Sequence, residues 1–341
     1  MSSGHENIKS IFDELLQNSG KSGQRVHKRI DLTAPIKIHA ACIFPHKSLM
    51  LEIGPIKNAW LPQGFKKPRI KGLSIALKST DKIPASDVTL LMQLQNNDAI
   101  DVFSVFVARV CEELDGITKP ELAVKATIAI IEKWKEFFAG GSDVLSDEQQ
   151  TGLYGELYLL QYLSISGLDL GKSIKAWTGS KKTSQDYEFG SVAIEVKTSA
   201  AVDATRVNIT NSRQLDDTGL NGLYLSRILL DVRQGEKNTL PLLIESLRNN
   251  IIKSSPESSL DFEEKLLAAG YQDKHLDQYS NRAYSERELV FYQVIEGFPR
   301  LLVKDLLEGI TKVSYEISLD ACSDFKIENK KVIDSVRLYF D

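Results

Sequence analysis

Cysteine is scarce in this 341-residue chain: Cys42, Cys111 and Cys322 are the only three, and they lie far apart. They show no zinc-type spacing, and isolated thiols of this kind suit the interior of a protein in a reducing compartment, so a cytoplasmic location is expected. Histidine is equally thin, with five scattered residues, which argues against a zinc enzyme. No run approaches the roughly 18 apolar residues of a membrane span. The opening stretch MSSGHENIKSIFDELL lacks a basic leader feeding an apolar block, so neither a secretory signal nor a membrane partner is expected. Internal repeats and low-complexity tracts are missing as well. There is no excess of positive charge: the formal net charge is −4 and the pI near 5.9. That balance excludes a broadly basic coat but not a local positive groove.

What is present is enough apolar material, 42% of residues, for two domains with their own cores. Residues 6–17 place Ile8, Ile11, Phe12, Leu15 and Leu16 on one helical face. A loop-like basic stretch follows, through Arg29. Its Gly20-Lys21-Ser22 lacks the full phosphate-loop spacing, which rules out an ATP site there. Strands are expected at residues 36–44, 49–53, 73–77 and 88–94, and helices at 100–114 and 121–138. The basic run FKKPRIK, residues 65–71, reads as a solvated edge loop ahead of a DNA contact. The run AGGSD at residues 139–143 marks a domain boundary, leaving residues 1–142 as an α+β domain suited to DNA binding or dimerisation.

Beyond the boundary, Ser146 caps a helix carrying Leu153, Leu157, Leu160 and Leu163. On it, Glu156 sits among apolar neighbours, with Gly152 and Gly155 thinning the surface beside it. The stretch DYEFGSVAIEVK, residues 186–197, reads as a hairpin turning at Gly190-Ser191. Ile194 and Val196 alternate with Glu195 and Lys197 on its second arm. Asp186 and Glu195 are thereby brought close, and two neighbouring carboxylates repel unless a cation lies between them. Oxygen ligands suit Mg²⁺, with Mn²⁺ as a substitute. Lys197 then points at a phosphate or an attacking water. A helix-like linker, a strand at 223–232 and a helix at 240–249 complete a small α/β core. A helix at 262–269 and strands at 287–295, 313–319 and 332–339 are expected in the remainder.

Asp186, Glu195-Val196-Lys197 and Glu156 together resemble the core of the PD-(D/E)XK nucleases, the restriction-endonuclease-like fold. The whole chain resembles a bacterial family placed in that superfamily, through Gly152-x-x-Gly155-Glu156, the strand IEVKTS and the segment Phe298–Leu301, FPRL. The resemblance implies an α/β fold in which a central mixed sheet is flanked by helices, with the nuclease-like domain over residues 143–341. It further implies that Asp186, Glu195 and the Val196 carbonyl hold the metal, Lys197 orients or activates water, and Glu156 adds an acid. Gln185 stands where the superfamily has proline. The implied activity is Mg²⁺-dependent endonuclease cleavage of double-stranded DNA in restriction or phage defence, by a homodimer beside a companion DNA methyltransferase. Lys181, Lys182, Arg206, Arg213 and Gln214 are candidate DNA contacts. Two other readings stay open: a catalytically silent DNA-binding or assembly subunit, and a nuclease for branched or damaged DNA.

Overall fold

The computed structural model describes residues 4–79, 87–139, 143–178, 184–201, 205–310 and 312–340. The chain divides into two compact units, Met1–Asp143 and Val144–Asp341. The first contains α1 (Gly4–Gln17), β1 (Arg25–Ile30), β2 (Ile38–Ile43), β3 (Ser48–Lys57), β4 (Leu73–Lys78), β5 (Asp87–Leu94), α2 (Ile100–Leu114) and α3 (Pro120–Ala139). Its strands form one antiparallel sheet in the order β1-β2-β3-β5-β4. Phe12 packs on Phe103, and Phe106 meets Trp134 and Phe138, so helical apolar stripes supply the core. β1 replaces part of the expected loop. Its residues alternate and pair with β2 from Arg25↔Ile43 to Ile30↔Ile38, a period that its basic side chains conceal.

The second unit contains α4 (Asp147–Ile165), α5 (Leu170–Ala176), β6 (Tyr187–Phe189), β7 (Val192–Ser199), β8 (Arg206–Ile209), β9 (Gly222–Gln234) and α6 (Leu240–Ser254). It continues with α7 (Ser259–Ala268), α8 (Leu276–Tyr279), β10 (Arg282–Gln293), β11 (Tyr315–Ser318), β12 (Lys326–Ile327) and α9 (Asn329–Arg337). Its main sheet is mixed, in the order β12-β10-β9-β7-β6, with β7 parallel to β9. Helical residues such as Leu157, Leu160, Ile244 and Val332 pack with Ile194, Val196 and Ile228 on one face. The β8–β11 ribbon covers part of the other, where Val207, Ile209 and Ile317 meet Ala193, Leu223 and Leu225. Among the described residues, no helix is long and apolar enough to cross a membrane.

Two expectations are corrected here. The helix-like linker is β8 followed by a short 3₁₀ turn, Ser212–Leu215. The last expected strand is α9, because Val332, Ile333 and Val336 recur at helical spacing and are all buried on one face.

α4 starts in a reciprocal capping box: the Ser146 hydroxyl accepts from the Gln149 N–H, and the Gln149 side chain accepts from the Ser146 N–H. It then lies against β7 at Gly155. A Cβ there would fall 1.8 Å from Thr198 Oγ1 and 2.8 Å from Thr198 Cβ, whereas one at Gly152 meets nothing within 4 Å. Gly155→Ala is therefore expected to destabilise the protein by about 1–3 kcal/mol through overpacking. Gly152→Ala is expected to stabilise it by up to about 1 kcal/mol through helix propensity. Denaturant melts of the two variants check the opposite signs; equal stabilisation would show that the helix does not need this close approach.

Candidate active site

The hairpin closes through Gly190, whose φ of 60° lies in the left-handed region that glycine enters without penalty. Tyr187 pairs with Ile194 and Phe189 with Val192, which places Asp186 just beyond the end of β6, beside the middle of β7. Strand alternation sends Ile194 and Val196 into the helical core and Ala193, Glu195 and Lys197 to the other face. That face is not simply exposed. The β8–β11 ribbon covers its inner part, so the Glu195 side chain is only 1% exposed, while Lys197, two residues along, reaches 17%.

Glu156, Asp186, Glu195 and Lys197 form one electrostatic group. Lys197 Nζ lies 2.8 Å from Glu195 Oε1. Asp186 Oδ2 accepts the Val196 N–H at 2.8 Å, and Glu156 Oε2 accepts the Trp177 indole N–H at 2.7 Å. Burial raises all three carboxyl pKa values. Glu156 is pushed up to about 8, with the Asp186 charge adding to the rise and Trp177 and Lys197 opposing it. Glu195 is raised well above its ordinary value by burial and by Asp186. For Asp186 burial outweighs the Val196 hydrogen bond and the Lys197 charge. Three acids share one ammonium, and the group retains protons.

The donor set fits a hard cation. Apart from the Lys197 contact, neither buried Glu195 oxygen receives a hydrogen bond among the described residues, an exception in a protein interior that calls for a positive partner. In an extended strand the N–H and C=O of one residue point to the same edge. The Val196 carbonyl therefore faces the side on which its N–H meets Asp186. Among the described residues no three His, Cys, Asp or Glu side chains converge as a ready-made metal cage. Magnesium does not require one, since it takes one or two carboxylates and keeps several waters.

The 3₁₀ turn Ser212–Leu215 is held from two sides. The buried Gln185 amide donates to the carbonyls of Arg213 at 2.8 Å and Gln214 at 3.3 Å. Arg300 donates to the Leu215 carbonyl at 2.8 Å and pairs with Asp217 at 2.9 Å. Gln214 Oε1 accepts from Thr210 N at 3.0 Å and from Lys197 Nζ at 3.3 Å. Gln214 is thus engaged by Lys197, while Arg213 on the same turn is exposed. Arg206 is exposed and paired with Glu316 at 3.2 Å. Lys181 and Lys182 lie outside the described residues.

Sequence reasoning overlooked Trp177 and its support. The buried Lys265 ammonium donates to the carbonyls of Ile174, Lys175 and Trp177 at the end of α5, fixing the backbone from which the indole reaches Glu156. Neither residue belongs to a periodic pattern, so only the tertiary structure brings them together. Arg300 had a signal, its place in the FPRL segment, but nothing local indicated the turn it holds.

Residues 8–320 match the model of a protein family described as "Putative PD-(D/E)XK family member". The chain belongs to that family, which carries a nuclease-like fold. No curated protein and no solved structure matches it.

The raised acids have a consequence for stability. Folded Glu156 keeps its proton to about pH 8, while in the unfolded chain it ionises near its ordinary 4.5. Between these values the folded state binds more protons, so its contribution is full below the lower value and is lost as pH rises through the upper one. Metal-free wild type should lose stability between about pH 5 and about pH 8 more steeply than Glu156→Gln. Thermal melts in EDTA across this range test it; identical slopes would remove Glu156 from the proton-holding group.

Proposed function

We propose that this chain is a Mg²⁺-dependent deoxyribonuclease that hydrolyses phosphodiester bonds of double-stranded DNA. The observation that carries the reading is the clustering of half-buried Asp186 and buried Glu195 beside one lysine, Lys197, with Glu156 adding a third acid. Asp186, Glu195 and the Val196 carbonyl would hold Mg²⁺, or Mn²⁺ in its place. The ion would supply Lewis-acid stabilisation of phosphoryl charge and a lowered pKa for water.

The chain's own groups set up the rest. Lys197 stands at the opening of the covered face and, held between Glu195 and Gln214, presents its ammonium where negative charge grows on the reacting phosphate. Glu156 is oriented by Trp177 and serves as the supplementary acid near Asp186. Gln185 and Arg300 position the turn that carries Gln214. The exposed Arg213 is assigned to the DNA backbone, and Arg206 to the same role once released from Glu316.

The N-terminal unit supplies none of these side chains and is read as a separate domain for DNA binding or dimerisation. Two copies would bring the two sites that double-strand cutting requires. Restriction or phage defence, with a companion methyltransferase protecting host DNA, is the setting proposed for this activity.

Lys197→Met keeps the apolar stem and removes only the ammonium. It should lower single-turnover cleavage of unmodified DNA by about 3–4 kcal/mol, roughly a hundred- to a thousandfold. Circular dichroism should remain that of wild type, and EDTA should stop wild-type cutting until Mg²⁺ or Mn²⁺ is restored. Cutting by Lys197→Met at the wild-type rate would contradict the role of Lys197. Wild type that cuts neither unmodified nor methylated DNA favours the silent-subunit reading.

A further inference from the structure

A further cation stands on the strand next to Lys197. In the parallel β7–β9 ladder, Lys197 is in register with Arg227. Paired residues of adjacent strands project to the same sheet face, so the two cationic side chains stand side by side. In the preceding row Glu195 pairs with Leu225, and there the β8–β11 ribbon closes over the face. The Lys197–Arg227 row follows at the opening. Substrate that reaches Lys197 therefore passes next to Arg227.

The surroundings of Arg227 suit an exchangeable anion. Its Nη1 lies 3.0 Å from Glu288 Oε2 on β10, and Glu288 is the more open partner, 46% exposed against 13%. Such a rim carboxylate binds weakly because water competes for it. On its inner side Arg227 also hydrogen-bonds the hydroxyl of the buried Tyr292. A guanidinium anchored from below by Tyr292 and paired at its rim with an exposed carboxylate can exchange that carboxylate for a phosphate. Lys197, by contrast, is engaged by Glu195 and Gln214.

We propose that Arg227 is a backbone-phosphate subsite of the DNA groove, one strand away from Lys197, and that Glu288 occupies it until DNA arrives. The proposal rests on the DNA-cleaving reading above and adds a substrate contact to it. An ion pair that merely ties β9 to β10 makes a different prediction. Neutralising either partner would then remove the same tie and shift DNA binding in the same direction. In the exchange role the two substitutions act oppositely, since Arg227 attracts phosphate and Glu288 competes with it.

The test is fluorescence anisotropy of a labelled random-sequence duplex over a salt series, in Ca²⁺ buffer, with full-length protein. Arg227→Gln should weaken binding roughly five- to tenfold near about 0.1 M salt. It should also reduce the slope of log K against log salt by about one. Arg227→Lys should restore most of the slope, and Glu288→Gln should tighten binding. Melting curves on the same samples identify folded protein. A wild-type slope in folded Arg227→Gln, or weakening by both neutral variants, overturns the subsite while leaving the DNA reading intact. Wild type that binds no duplex at any salt overturns the DNA reading, and the subsite with it.

Discussion

The second unit is built around a cost: three carboxyl groups and one ammonium held together, Glu195 buried and Glu156, Asp186 and Lys197 half-buried. Removing an ionised carboxylate from water costs several kcal/mol even after the protein relaxes. A hydrogen bond to a charged group returns only about 1.5–3 kcal/mol. The Trp177 and Val196 donors therefore offset part of the burial of Glu156 and Asp186, and the pKa values still rise. For Glu195 the donor among the described residues is the Lys197 ammonium, and burial beside Asp186 still raises its pKa. A structural ion-pair network would balance its charges; this group is acid-rich, the imbalance on which the proposed Mg²⁺ binding rests.

The surrounding structure maintains that imbalance. Gly155 lets α4 close onto β7 at Thr198, which carries Glu156 toward the strand. Lys265 fixes the end of α5 and thereby the indole that orients Glu156. The β8–β11 ribbon packs on Ala193, Leu223 and Leu225 of the sheet face that carries Glu195, which is 1% exposed, while Lys197 two residues along reaches 17%. Gln185, at the position where the superfamily has proline, holds through its amide the turn that brings Gln214 to Lys197.

Much of this was legible because it is local. Alternation in residues 192–197 and the glycine turn defined the hairpin, and the helical spacing of leucines placed Glu156 on α4. The depth of Glu195 was not legible, since the ribbon that packs on its sheet face comes from residues 206–209 and 315–318, distant in sequence. α9 was misread because Val332, Ile333 and Val336 are β-branched and few, so propensity masked the helical period. Arg227 lies within the strand expected at residues 223–232, and only the β7–β9 register sets it beside Lys197.

The central claim is that the acid group exchanges protons for a divalent cation. Calorimetric titration of Mg²⁺ into metal-free protein near neutral pH, repeated in buffers of different ionisation heat, counts the protons displaced. The account predicts release of about one proton or more for each ion bound, with binding lost in Asp186→Asn. Binding without proton release, or binding unaffected by Asp186→Asn, would contradict it.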